Sequence, residues 1–168
     1  MRRFIPVASL IVVIGVAAFG EETDHSGHAH HAAHAKEVDQ RGDTAMGFSH
    51  AKTEHHFRLR DDGGTIEATA KDAADGESIE QIRQHFREIA AAFAAGDFDK
   101  PQFIHGETPP GVAVMKRLKG AIRYRYEERE LGGIVSISTS DREALEAIHE
   151  FLRFQIADHR TGDAVEIE

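Results

Sequence analysis

Residues 57–70 read Phe57-Arg58-Leu59-Arg60-Asp61-Asp62-Gly63-Gly64-Thr65-Ile66-Glu67-Ala68-Thr69-Ala70, and this stretch decides the fold. Apolar and polar residues alternate on both sides of Asp61-Asp62-Gly63-Gly64, which is typical of a β-hairpin with a tight turn. A helical pattern with one apolar face follows from about Ser78 to Ala95, and Gly96 ends it. This order predicts a ββα unit, which is too small to bury its own sheet face.

The same order recurs in the second half of the chain. Alternation at 122–126 precedes a turn containing Gly132-Gly133, a strand at 134–138 and a second helical pattern. Gly96-Asp97 and Gly162-Asp163 lie 66 residues apart, as expected for a repeat. The sequence therefore predicts an α+β domain of two tandem ββα repeats, forming a four-stranded antiparallel sheet with two helices on one face.

The first twenty residues have the pattern of an export signal. Met1-Arg2-Arg3 precedes an apolar run that ends at Phe19, and small residues offer cleavage sites near residues 18–20. The run is shorter than the ~20 apolar residues of a membrane-spanning helix. We therefore predict a signal peptide at 1–20 and a periplasmic protein that has no membrane contact once the signal is removed.

The next segment, residues 21–44, consists mainly of His, Ala, Gly, Asp and Glu. Such a composition cannot offset the entropy lost on ordering, so we expect a disordered His-rich tail there and a folded domain at 45–168. Flexible, closely spaced imidazoles chelate zinc, copper or nickel without a preformed site. The tail ligands predicted on this basis are His25, His28, His30, His31 and His34.

Charge and cysteine content exclude several classes of protein. The 168-residue chain has a formal net charge of −9, or near −11 without Arg2 and Arg3. An acidic protein has no electrostatic reason to bind nucleic acid or an anionic membrane surface. The absence of cysteine excludes disulfides, thiolate metal sites and a cysteine nucleophile. No Ser-His-Asp arrangement or phosphate-binding loop is recognisable, so we do not expect an enzyme of those classes.

The predicted domain contains seven more histidines, several at inward positions of the repeats. Because strand neighbours point to opposite faces, only one of two adjacent histidines at the start of the first strand faces the helices. His149 and His159 are ten residues apart on one helix, about 15 Å along its axis, so they cannot hold the same ion. We expect one metal site between sheet and helices. Its predicted ligands are His56, His85, His105, His149 and Met115, with His55 and His159 as further candidates.

The residue types of this site favour copper. Histidine with a thioether suits copper, whereas an all-imidazole site suits zinc equally, and Met46 and Met115 both supply a thioether. We expect a periplasmic protein that stores, delivers or detoxifies copper and exchanges it with a periplasmic metal-trafficking protein. Two alternatives stay open: a module that binds a small ligand or a protein without metal, and a metal-dependent enzyme with an open coordination position.

Several motifs carry a resemblance to a known family. They are Met46-Gly47-Phe48, Thr53-Glu54-His55-His56-Phe57, Ile82-Arg83-Gln84-His85-Phe86, Phe103-Ile104-His105, Pro109-Pro110-Gly111-Val112, Val114-Met115-Lys116-Arg117-Leu118-Lys119 and the stretch from Ala147 to Asp163. With these motifs the chain resembles a family of small exported bacterial proteins of unestablished function, often labelled aspartate carbamoyltransferase. The chain is too short for the two α/β domains of a carbamoyltransferase and lacks the Ser-Thr-Arg-Thr loop, so that activity is not carried over. The resemblance implies the limits of the folded domain, and its pattern includes the domain histidines from His55 onward but not the His-rich tail.

Overall fold

The computed structural model of the chain describes residues 25–168, with side chains from residue 32 onward. The predicted signal peptide at 1–20 lies outside these residues. Within 25–168, no helix has both the length and the apolar character needed to cross a membrane. The elements in chain order are α1 (His25–Met46), β1 (Thr53–Arg60), β2 (Gly63–Ala70), α2 (Gly76–Ala95), α3 (Asp99–His105), α4 (Val112–Arg117), β3 (Ile122–Arg129), β4 (Gly132–Thr139) and α5 (Arg142–His159).

The four strands form one antiparallel sheet in the order β1-β2-β4-β3. Each repeat contributes a hairpin, and the two hairpins join where β2 pairs with β4. The predicted α+β class and four-stranded antiparallel sheet are confirmed. The turns are two residues long, Asp61-Asp62 and Glu130-Leu131, so the glycine pairs predicted in the turns instead open β2 and β4.

Helices α2 and α5 follow the two hairpins and pack against one face of the sheet. Each begins after an aspartate that caps it: Asp75 accepts a hydrogen bond from the Ser78 amide at 3.1 Å, and Asp141 from the Ala144 amide at 2.9 Å. α2 packs mainly on the second hairpin, whereas α5 contacts β1 and β2 of the first. Neither ββα unit is therefore complete alone, and α1, α3 and α4 lie outside the repeat.

Gly64 allows α5 to approach the sheet closely. A Cβ atom at this position would lie 2.3 Å from Leu152 Cδ1 and 2.3 Å from the Arg58 carbonyl oxygen. Leu152 is fully buried, so it has no free space into which to move. The glycine that opens β2 therefore sets the distance between the first hairpin and α5.

The two edges of the sheet differ. At the β1 edge, Ile167 forms a parallel bridge with Leu59, and the Glu168 amide donates a hydrogen bond to the Leu59 carbonyl at 3.0 Å. β3 forms the other edge, and no strand within residues 25–168 pairs with its outer side. The C-terminal residues thus protect one edge of the sheet, and β3 faces solvent at the other.

In place of the disordered tail predicted for 21–44, the structure has helix α1 from residue 25 onward, lying against α3 and α5. Val38 of this helix is fully buried, and the buried residues Ala35 and Gly42 lie on the same face of the helix. Polar contacts complete the packing: Arg41 Nε donates to the Ile104 carbonyl at 2.7 Å, and Arg160 pairs with Asp39 at 2.8 Å. One short apolar stripe is enough to dock the alanine-rich helix α1 against α3 and α5, because these ion pairs and hydrogen bonds lie beside it.

Candidate functional site

A cavity of about 50 Å³ lies between the sheet, α2 and α5, and residues of α3 and of the end of α1 complete its wall. A single water needs about 10–15 Å³ of such space, so the cavity holds a few waters or one small ligand. Most of its wall is aromatic and aliphatic, including Phe57, Phe86, Phe93 and Phe151. Four histidines interrupt this apolar wall: His55, His85, His105 and His159.

His55 and His159 form a stacked pair on one side of the cavity. Their ring centroids are 5.9 Å apart with an interplanar angle of 14°, and Phe48 stacks on the other side of His55 at 5.7 Å. Burial lowers the pKa of His55 to about 4 and that of His159 to about 3. Both imidazoles are therefore neutral at physiological pH, which is the form that binds metal ions.

His85 projects from α2 into the opposite side of the cavity. It is 6% exposed, and the edge of the Phe48 ring packs against it at a centroid distance of 5.6 Å. Burial, reinforced by the nearby Lys100 charge, lowers the pKa of His85 to about 3. Its Nδ1 atom is buried and has no hydrogen-bond partner in the part of the chain that the structure describes, and the same is true of Nε2 of His55. Such unpaired atoms cost about 1–3 kcal/mol each, so they mark a place where a ligand would be stabilising.

His105, at the end of α3, has both ring nitrogens occupied. Nδ1 lies 2.5 Å from Asp158 Oδ2, and Nε2 lies 3.0 Å from Gln155 Oε1. The other oxygen of Asp158 binds His34 Nε2 of α1 at 2.8 Å. Burial works to raise the pKa of Asp158, but its hydrogen bonds with His105 and His34 outweigh burial and lower that pKa. His105 is thus a fixed part of the wall, and its edge packs against His159 at 5.0 Å.

The structure brings together only part of the predicted ligand set. His85 and His105 line the cavity, joined by the two further candidates His55 and His159. The prediction placed His56 at the inward position of β1, but in the structure His55 points inward. Side chains alternate between the two faces of a strand, so His55 lies on the same face as the inward residues Phe57 and Leu59.

The remaining predicted ligands lie elsewhere. His56 Nδ1 binds Asp163 at 2.9 Å, on the outside of β1. His149 Nε2 lies 2.9 Å from the Arg60 carbonyl oxygen and 3.0 Å from that of Gly63, so it ties α5 to the first hairpin turn. Met115 is fully buried in the core on α4. The side chains of His25, His28, His30 and His31 lie outside the described part of the chain.

Two residues that the sequence did not single out also line the cavity, Gln155 and Lys100. Nε2 of Gln155 is buried without a partner. A glutamine four residues after Phe151 on the apolar face of α5 is the signal that could have identified it. Lys100 pairs with Glu88 at 2.8 Å at the margin of the cavity. Met46, already noted for its thioether, lines the cavity from the end of α1.

Among the side chains of residues 32–168, no group of three or more His, Asp or Glu is already arranged to hold a metal ion. An ion in the cavity would therefore require the imidazoles to turn toward it. In comparisons with known proteins, no family model, no curated protein and no solved structure matches the chain.

Proposed function

We propose that this protein is an exported binder of a transition-metal ion, held in the internal cavity by His55, His85 and His159 with the thioether of Met46. The observation that carries the proposal is the pair of buried, unpartnered ring nitrogens, His55 Nε2 and His85 Nδ1, on residues that line one cavity. Coordination would give each of these atoms the partner that the described residues do not provide. The proposal therefore rests on these unpaired ring nitrogens and not on a set of ligands already arranged around an ion.

The ring spacing supports the proposal. Two imidazoles on one tetrahedral ion, with metal–nitrogen bonds of about 2.0 Å, have centroids about 5 Å apart. The ring centroids of the proposed ligands His55 and His159 are 5.9 Å apart, close to that spacing. Rotation of the stacked rings about their side-chain bonds, with little backbone movement, would therefore be enough to direct nitrogens of His55 and His159 to a common point.

The cavity lining favours Cu(I) over Zn(II). The residues that line it in the described part of the chain include no carboxylate, so a divalent ion would remain uncompensated. A monovalent, soft ion accepts neutral imidazole and thioether ligands, and Met46 provides the thioether. Storage, delivery or detoxification of copper in the periplasm, with a metal-trafficking protein as the exchange partner, is the role we assign to it.

The test is Cu(I) binding by competition with a chromophoric chelator. The full chain with His25, His28, His30 and His31 changed to Gln is used, so that the tail does not mask the cavity. We expect one tightly held equivalent, and a loss of at least about 100-fold in affinity in H55Q/H85Q, equal to about 2.7 kcal/mol. H56Q is the matched control, because its imidazole lies next to His55 on the opposite face of β1. Equal affinity in H55Q/H85Q and the parent would refute the cavity site.

A second candidate function rests on the phenyl rings of the wall. A small neutral ligand that accepts or donates hydrogen bonds would pair with the same histidine nitrogens while its apolar part packs on Phe57 and Phe86. Absence of metal binding, together with NMR shifts at the cavity residues on adding imidazole-sized heteroaromatic probes, would favour this reading. If three protein ligands hold the ion, the open position would allow it to activate water, as in a metal-dependent enzyme.

A further inference from the structure

A groove of about 400 Å³ lies on the outside of the protein next to the cavity. Its walls carry His50 and His56, together with Asp39 and Glu54. His55 and His159 line both the groove and the cavity, so this stacked pair separates the two spaces. An ion in the groove is thus one pair of side chains away from the proposed site.

The two outer histidines have the hydrogen-bond pattern of metal ligands. His50 Nδ1 lies 2.9 Å from Asp43 Oδ1, and His56 Nδ1 lies 2.9 Å from Asp163 Oδ1. A carboxylate on one ring nitrogen fixes the orientation and tautomer of a histidine and raises the basicity of the other nitrogen, as is usual around metal sites. In both residues Nε2 is then the nitrogen that could coordinate an ion, and Nε2 of His50 lies 3.8 Å from Asp39 Oδ2, a second oxygen at the same place. Their side chains are 47% and 36% exposed, so solvent reaches them.

We propose that this groove is the loading port of the cavity: His50 and His56 take Cu(I) from solution or from a donor and pass it inward through His55 and His159. This inference rests on the proposed function. Stepwise exchange of one imidazole for another keeps the ion coordinated throughout, so it never crosses the apolar wall without ligands. The groove contains two cationic side chains, and both are engaged: Arg160 with Asp39, and Lys71 with the Ala51 carbonyl at 3.0 Å.

The cavity also borders a groove on the side of α2. This second groove of about 300 Å³ shares Met46, His85 and Lys100 with the cavity. Besides the end of α1, its remaining wall includes Gln81, Gln84 and Glu88, the last of which is paired with Lys100. With a single imidazole and a lysine at its mouth, this groove offers a soft cation fewer ligands than the port does. Its glutamines, Gln81 and Gln84, provide a matched control.

The experiment measures loading and release rates separately from affinity. Stopped-flow absorbance of a chromophoric Cu(I) chelator follows transfer of Cu(I) from the chelator to the full chain carrying the four tail substitutions, and back from the loaded chain to excess chelator, compared with H50Q/H56Q and Q81A/Q84A in the same chain. We expect H50Q/H56Q to slow loading and release equally, by about tenfold, with unchanged equilibrium affinity. Q81A/Q84A should leave both rates unchanged.

Every other outcome contradicts either the loading port or the proposed function. Unchanged rates in H50Q/H56Q, or slower loading in Q81A/Q84A, would overturn the port while leaving the cavity site intact. A fall in affinity in H50Q/H56Q would make these residues part of the holding site, and the port would again be wrong. Absence of tight Cu(I) binding in the parent chain would instead remove the proposed function itself. Circular dichroism and thermal unfolding of each variant exclude loss of fold as the cause.

Discussion

Replacing His85 by leucine should make the metal-free protein more stable, although it removes a proposed ligand. The buried Nδ1 of His85 has no partner, and an unpaired polar atom costs about 1–3 kcal/mol. Leucine fills similar space without that cost, while imperfect packing in a changed shape takes back up to about 1.5 kcal/mol. We expect a net gain of about 1 kcal/mol in the free energy of unfolding, or roughly 2–4 °C in Tm.

His149 is the matched comparison because it is equally buried, at 6% exposure, and also lies on the inward face of its helix. Its Nε2 contacts the carbonyl oxygens of Arg60 and Gly63, so H149L leaves buried acceptors without a donor. We expect this substitution to cost about 2–4 kcal/mol. The two histidine-to-leucine changes should therefore have opposite signs.

The assay is urea unfolding at pH 7 with a chelator present, followed by circular dichroism. A change in midpoint with an unchanged slope reports a change in stability alone. Repeating it with Cu(I), in the chain carrying the four tail substitutions, should stabilise the parent more than H85L, since the gain in stability from a ligand grows with its affinity. If H85L loses as much stability as H149L does, His85 makes a favourable interaction in the metal-free protein, and the reasoning from its unpaired nitrogen fails.

Three further predictions concern pH and helix α1. Burial lowers the pKa of His55, His85 and His159 from 6.5 to about 4, 3 and 3, so the unfolded chain binds more protons than the folded chain below pH 6.5. The free energy of unfolding is therefore largest above pH 6.5 and declines as the pH falls toward 4. Urea titrations across pH should show an uptake of about three protons on unfolding. Asp158→Asn keeps one acceptor oxygen for two histidines, so it should cost about 1–3 kcal/mol and speed amide exchange in α1, whereas the exposed-turn change Asp61→Asn should do neither. Val38→Asp places a carboxylate in a fully buried position, so α1 should become sensitive to limited proteolysis while the sheet stays protected; a helix as resistant as that of the parent would contradict its docking through Val38.

The fold was predictable because its signals are local. Alternation around the two glycine pairs and the apolar stripes of α2 and α5 need only a few neighbouring residues to be recognised. The position of α1 was not predictable in this way. With its few apolar residues, the sequence of α1 is typical of a solvent-exposed segment. Its packing depends on the partners of Arg41 and Asp39, which lie more than 60 residues away along the chain.

The sequence was enough to predict that the site lies between the sheet and the helices, but not which histidines face it. Parity with Phe57 and Leu59 would have placed His55 inward and His56 outward, so that choice was available from the sequence. The role of His149 was not, because its nitrogen binds carbonyl groups 86 and 89 residues earlier in the chain. Inward position alone cannot distinguish a histidine that ties two elements together from one left unpaired beside a cavity.

The outer edge of β3 has a consequence for association between copies of the chain. An open strand edge invites a second strand to add to it. Alternate residues along this one are Arg123, Arg125, Glu127 and Arg129, which lie on the face of the sheet away from the helices. A second copy pairing about Arg125 would set this arginine against its own counterpart, and like charges facing each other across strands are destabilising. The arginines of this face therefore disfavour that register of strand addition at the outer side of β3, which no strand within residues 25–168 covers.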